Sequence, residues 1–190
     1  TKIYMSQLLQ TLTQEQADIQ KGIYNFTQKL FNMPCAFIVP IAISVIPAVT
    51  EQLTLGNHAQ VNQTEESAAR ITGLLSLPCT VGLALLASPV MALLGDYSGE
   101  KLALASQLMA LLGISTFLHA VVLFTNSLMQ AHGHVNIPVV NMLCSGAVKL
   151  AVVFVLTGNP AIGILGVPIG TALCNLCISA LNLIAIAKCI

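Results

Sequence analysis

LALASQLMALLGISTFLHAVVLFTNSLMQA, residues 102–131, contains no Asp, Glu, Lys or Arg. A helix needs about 20 apolar residues to cross the hydrocarbon core of a bilayer. This run is long enough, and His119 is the one titratable side chain inside it. Reading outward, His132-Gly133-His134 makes a tight turn of solvated residues, and Val135 to Thr157 is a second apolar run with Lys149 inside it. Gly158-Asn159-Pro160 turns the chain into a third run, Ala161 to Ala187, which ends at Lys188. On the amino-terminal side, GDYSGEK at 95–101 separates the first run from Ile71–Leu94, which carries Pro78 and Pro89. Before that, Leu30 to Val49 is uncharged but interrupted by Pro34, Pro40 and Pro47. Membrane helices tolerate proline where neighbours satisfy the freed carbonyls, so a kinked helix is expected there.

The reading is an all-α integral membrane helix bundle with about five transmembrane helices. Residues 22–190 form the bundle, with spans at about 26–53, 68–94, 102–131, 135–157 and 161–187. Residues 1–21 are polar and form a loop or an interfacial helix. Residues 51–70 form the one sizeable central loop. Within it, Gly56-Asn57 is a helix stop and Thr64-Glu65-Glu66-Ser67 is the acidic opening of the next helix. The chain starts at Thr1 within a polar stretch and is read as a fragment of a longer one.

Composition supports this. The chain is 56% hydrophobic and 7% charged, against about 25% charged in ordinary soluble domains. Fourteen charges cannot cover a soluble surface of this size. A net charge of zero argues against a nucleic-acid partner, which needs clustered Lys and Arg. The six cysteines all fall in or beside apolar runs and read as free thiols. Cys174-x-x-Cys177 lacks the further ligands a metal site needs. No metal or cofactor is expected. G-x-S-x-G, H-E-x-x-H and paired intramembrane carboxylates are all missing, so the chain reads as no enzyme.

The distribution of polar residues carries the functional argument. Every acid lies in a loop or at a helix end. Lys149 lies well inside a span, and Lys29 lies at the edge of one. An intramembrane charge costs at least about 2.5–3.5 kcal/mol and usually faces protein or a watery cavity. Lys149 and Lys29 are therefore candidate substrate-binding groups, with snorkelling or pairing with helix carbonyls as the other reading. Asn141, Ser145 and Lys149 repeat at i, i+4, i+8, as do Thr171, Asn175 and Ser179, with Asn182 continuing that face. Ser115, His119, Asn126 and Gln130 lie on one side of the third span. Residues four apart share a helix face. Asn126, Gln130, Asn141, Ser145 and Asn175 therefore join the two lysines as candidates for lining a central cavity. Any one of them can equally serve interhelical hydrogen bonding. Gly166 and Gly170 match the small-xxx-small pattern of close helix packing.

GIYNFTQKLFNMPCAFIVPIAISVIPAVTEQ, residues 22–52, resembles the start of the carboxy-terminal half of the polysaccharide and lipid-linked oligosaccharide exporters, in particular the stage V sporulation protein B group. LMQAHGHVNIPV at 128–139 and GILGVPIGTALCN at 163–175 resemble the family's tenth-to-eleventh helix turn and the opening of its twelfth helix. The superfamily also holds multidrug exporters and the lipid II flippases. The latter typically show Asp-Arg-Leu where this chain has Gln28-Lys29-Leu30.

The resemblance implies two six-helix bundles around a cavity, with this chain supplying helices eight to twelve, most of one lobe. It implies a multi-pass protein of the bacterial cell membrane that flips lipid-linked saccharide precursors of the undecaprenyl diphosphate type by alternating access, with roles in peptidoglycan, polysaccharide or spore-wall assembly. Its implied partners are that lipid, the surrounding membrane lipid and a missing amino-terminal bundle. A cation-coupled multidrug exporter and a non-transporting partner in cell-wall or spore assembly are the alternatives.

Overall fold

The computed structural model describes residues 13–159 and 162–189. Residues 1–12, most of the stretch expected as a loop or interfacial helix, lie outside the described residues. Five helices among those described are long and apolar enough to cross a membrane.

Helix α1 (Gln14–Thr54) is longer at its amino end than the apolar run that seeds it. Thr13 caps it, its amide donating to Gln16 Oε1 at 3.4 Å. Pro34, Pro40 and Pro47 lie inside it without ending it. Each proline removes an amide donor and so frees the carbonyl four residues earlier. Hydroxyls bond other carbonyls of the same turns, Ser44 to Ile41 at 2.8 Å and Thr50 to Ile46 at 2.7 Å.

The helix stops where Gly56-Asn57 was expected to stop it. Gly56 has φ +68°, a conformation that suits a residue without Cβ. The expected central loop is much shorter in the structure. Helix α2 (His58–Leu85) begins at once, its cap Asn57 accepting from the Gln60 amide at 3.3 Å. The acidic stretch from Thr64 lies inside the helix rather than at its start. The polar residues 58–70 are mostly good helix formers, and Glu66 with Arg70 adds an i,i+4 pair at 2.5 Å.

The second run also ends differently from the reading at 68–94. The helix breaks at Leu86, and a short helix α3 (Ala87–Gly95) restarts the chain. Pro89 falls in the first turn of α3, where a missing amide hydrogen costs no intrahelical bond.

Helices α4 (Gly99–Ala131) and α5 (Asn136–Thr157) fall close to their expected spans. The last span opens as a 3₁₀ turn (Gly163–Leu165) and continues as α6 (Gly166–Cys189).

Helix α4 is the axis of the bundle. It packs against α1, α2 and α6, while α5 sits outermost and packs chiefly on α6. Half of the apolar window of α4 is buried, against 11% for α5. That difference separates a helix surrounded by protein from one that faces lipid over most of its surface. At one end of the bundle, Ile23, Phe31, Leu108, Leu112, Ile164 and Val167 make the core. At the other, Val45, Val49, Val61, Ala68 and Ala131 make a smaller one.

Close approaches need small residues. A Cβ on Gly166 would stand 2.7 Å from Leu156 Cβ, and one on Gly170 would stand 2.6 Å from Val153 Cγ2. The glycine face read from the sequence is thus the α5–α6 contact. Gly113 does the same between α4 and α2, with 3.0 Å to the Ala84 amide nitrogen.

Candidate functional site

The polar stripes of α4, α5 and α6 meet one another. Asn182 of α6 is fully buried. Its Nδ2 donates to Asn126 Oδ1 at 2.7 Å and to Thr125 Oγ1 at 3.0 Å, both on α4. Its Oδ1 accepts from Asn141 Nδ2 of α5 at 2.9 Å. One carboxamide therefore bonds three helices together with both donor hydrogens used. Asn126 also points Nδ2 at Met142 Sδ, 3.9 Å away. Asn126 and Asn141 were both read as lining candidates, and Asn182 joins them.

Toward the other end of the seam, Ser145 is buried with an unpartnered hydroxyl, and Asn175 is buried with an unpartnered Nδ2. His119 of α4 lies beside Asn175 and within electrostatic range of Lys149. Its ring also stands 6.1 Å from that of Phe31 on α1. Lys149 is half-buried, within range of Cys174 on the facing helix. The seam thus holds a half-buried ammonium, an imidazole and a carboxamide drawn from three helices. Gln130 stands apart from it, exposed near the end of α4.

Lys29 has a different setting. It is exposed on α1, on the side opposite Phe31 and Ile38, which are buried. Asn25, Gln28 and Asn32 are exposed beside it, and Lys21 lies two turns earlier on the same side. The helical repeat groups these five as one polar band. From Lys21 to Asn32 the band carries two positive charges and no carboxylate, and the exposed Asp18 continues the same face one turn earlier. Among the described residues the ion pairs are Glu66 with Arg70 and Glu65 with His132, so neither Lys29 nor Lys149 is in one.

His132 was read as a solvated turn residue, and the structure corrects this. Its Nε2 lies 2.7 Å from Glu65 Oε1, with both side chains largely covered. Thr50 Oγ1 reaches the Ala131 carbonyl at 3.3 Å at the same end. Sequence reasoning also missed that His119, Asn175 and Lys149 converge. The signal was three polar stripes at a four-residue repeat, which give each helix a face but do not pair the faces.

The sequence matches the lipid II flippase (MurJ) family model over residues 5–189. The chain belongs to the lipid II flippase family. No curated protein matches it. It is similar in structure to an inward-facing multidrug resistance MATE family transporter of the MOP superfamily, with a TM-score of 0.73 at 13% sequence identity. That likeness covers 87% of this chain and 40% of the transporter, and at this identity it speaks for the fold. The flippase and exporter superfamily expected from residues 22–52 is therefore the right one, with the family match falling on the lipid II flippases. A flippase family and five apolar spans make this a multi-pass membrane protein.

Proposed function

We propose that this chain is part of a flippase that carries a lipid-linked saccharide precursor across the bacterial cytoplasmic membrane by alternating access. The carrying observation is Lys29. It is exposed on α1 at the edge of the apolar run, flanked by carboxamides, and forms no ion pair among the described residues. An uncompensated ammonium beside hydrogen-bond donors suits a diphosphate, and no covalent chemistry is needed to move it. A second helix bundle, facing the open side of α1, completes the transport path. Met33, Phe37 and Ile43 are exposed on that side and supply the apolar surface for it.

The exposed candidates Lys29 and Gln130 are assigned to the cargo path. Asn126 and Asn141 hold α4, α5 and α6 together through Asn182, and the buried Ser145 and Asn175 lie in the same seam. Lys149 sits in that seam with its counter-charge supplied by the cargo or by the second bundle.

The test is reconstitution of the full-length protein in vesicles holding a fluorescent lipid-linked saccharide. Lys29→Gln should slow flipping about tenfold or more, the size of one lost charge-assisted hydrogen bond. Lys29→Arg should retain it, because a guanidinium grips phosphate at least as well. Unchanged flipping in Lys29→Gln, with the protein folded, removes the reading.

A further inference from the structure

A cleft of about 360 Å³ opens between α1 and α2. That volume falls within the usual range for ligand sites, about 300–1,000 Å³. Its polar lining is Ser44, Gln60, Gln63, Thr64 and Ser67, over a floor that includes the buried Val45 and Ala68. It lies next to the α1–α2 turn. Fifteen residues separate Lys29 from Ser44, a rise of about 22 Å along a helix.

The chemistry of the lining is specific in one respect: no lining side chain is charged. The two acids nearest in sequence are engaged elsewhere, Glu65 by His132 and Glu66 by Arg70. The cleft therefore offers no fixed charge to an ion. Ser44 and Thr64 each donate their hydroxyl hydrogen to a helix carbonyl at 2.8 Å, which leaves their oxygen lone pairs to accept. The side chains of Gln60, Gln63 and Ser67 make no hydrogen bond among the described residues and offer both donors and acceptors. Alternating donors and acceptors without charge match a polyhydroxylated group.

We propose that the cleft between α1 and α2 binds the uncharged saccharide portion of the lipid-linked cargo. This rests on the flippase reading and deepens it. The phosphates engage the Lys29 band at one stage of transport, and the sugars engage a separate neutral site about 22 Å along the same helix at another.

The experiment measures equilibrium binding to the full-length protein of two lipids, a prenyl diphosphate bearing a neutral disaccharide and the same prenyl diphosphate without it. Ser67→Phe fills the cleft. It should weaken the disaccharide lipid about tenfold and leave the bare lipid within about twofold, since hydrogen bonds to the sugar alone are lost. Gln63→Ala removes one donor and acceptor without adding bulk. It should shift the same ligand in the same direction by about threefold, which covers the case in which Ser67→Phe fails to fold. Equal loss for both lipids, or no loss for either, overturns the proposal. Failure of the underlying reading looks different: Lys29→Gln would then leave the affinity of both lipids unchanged.

Discussion

Asn182 donates to Asn126 at 2.7 Å across the α4–α6 interface, and Asn141 of α5 donates to Asn182 in turn. A hydrocarbon surround offers no water to replace these bonds, although measured interhelical hydrogen bonds in membranes average only about 0.6 kcal/mol each. The larger consequence follows from removing the hub. Asn182→Leu takes away the partners of Asn126 Oδ1 and Asn141 Nδ2, and an orphaned buried polar group costs about 1–3 kcal/mol. The expected outcome is a loss of about 2–3 kcal/mol in detergent unfolding. Asn126→Ala should cost less, because Asn182 keeps Asn141 and Thr125. Equal cost for the two variants would show that Asn182 is no hub.

Gly166→Leu should separate α5 from α6. Even a Cβ there would sit 2.7 Å from Leu156 Cβ and 3.0 Å from the Thr157 amide nitrogen, so the backbone must yield. Overpacking of this kind costs about 1–3 kcal/mol. Gly146→Leu, on α5 where a Cβ meets nothing within 4 Å, is the control and should be nearly neutral. Cross-linking of introduced cysteine pairs across α5 and α6 should fall in the first variant and persist in the second.

His132→Ala and Glu65→Gln should behave as one change. The pair is largely covered and spans α2 and the α4–α5 turn. Either single substitution should destabilise by about 1–2 kcal/mol, and the double variant should cost little more than the larger single. Strict additivity in thermal denaturation would show that the two groups do not act on each other.

Lys149→Met should raise stability while lowering transport. A half-buried ammonium with no carboxylate partner among the described residues carries an insertion cost of about 2.5–3.5 kcal/mol at the bilayer centre, part of it relieved by the nearby polar groups. A gain of about 1–2 kcal/mol is expected from removing the charge. A destabilised Lys149→Met would mean that the ammonium has found a compensating partner within the bundle.

The spans were legible because a bilayer imposes length and apolarity on each helix independently. Residues 102–131 and 135–157 could be bounded within a few positions from that rule alone. The start of α2 was not, because residues 58–70 are helical outside the apolar run, and polarity there looks the same in a loop and in a solvated helix. Gly166 and Gly170 were readable as contacts since their spacing carries the geometry of a helix pair. The partners of Asn141 and His132 were not readable. Asn182 lies 41 residues from Asn141 and Glu65 lies 67 from His132, and no local pattern encodes which faces meet. The Lys29 band was only partly visible, as a charge at a helix entrance, because exposure on α1 depends on which side the rest of the bundle covers.

The bonds from Thr50 to Ala131 and from Glu65 to His132 lie at the same end of the bundle and tie α1, α2 and α4 to one another. The larger apolar core lies at the Lys29 end, and apolar burial is non-directional. The lobe is thus stapled at the His132 rim. A force that tilts this lobe would be borne first at the His132 rim, where three helices share bonds of fixed geometry and a pivot would sit.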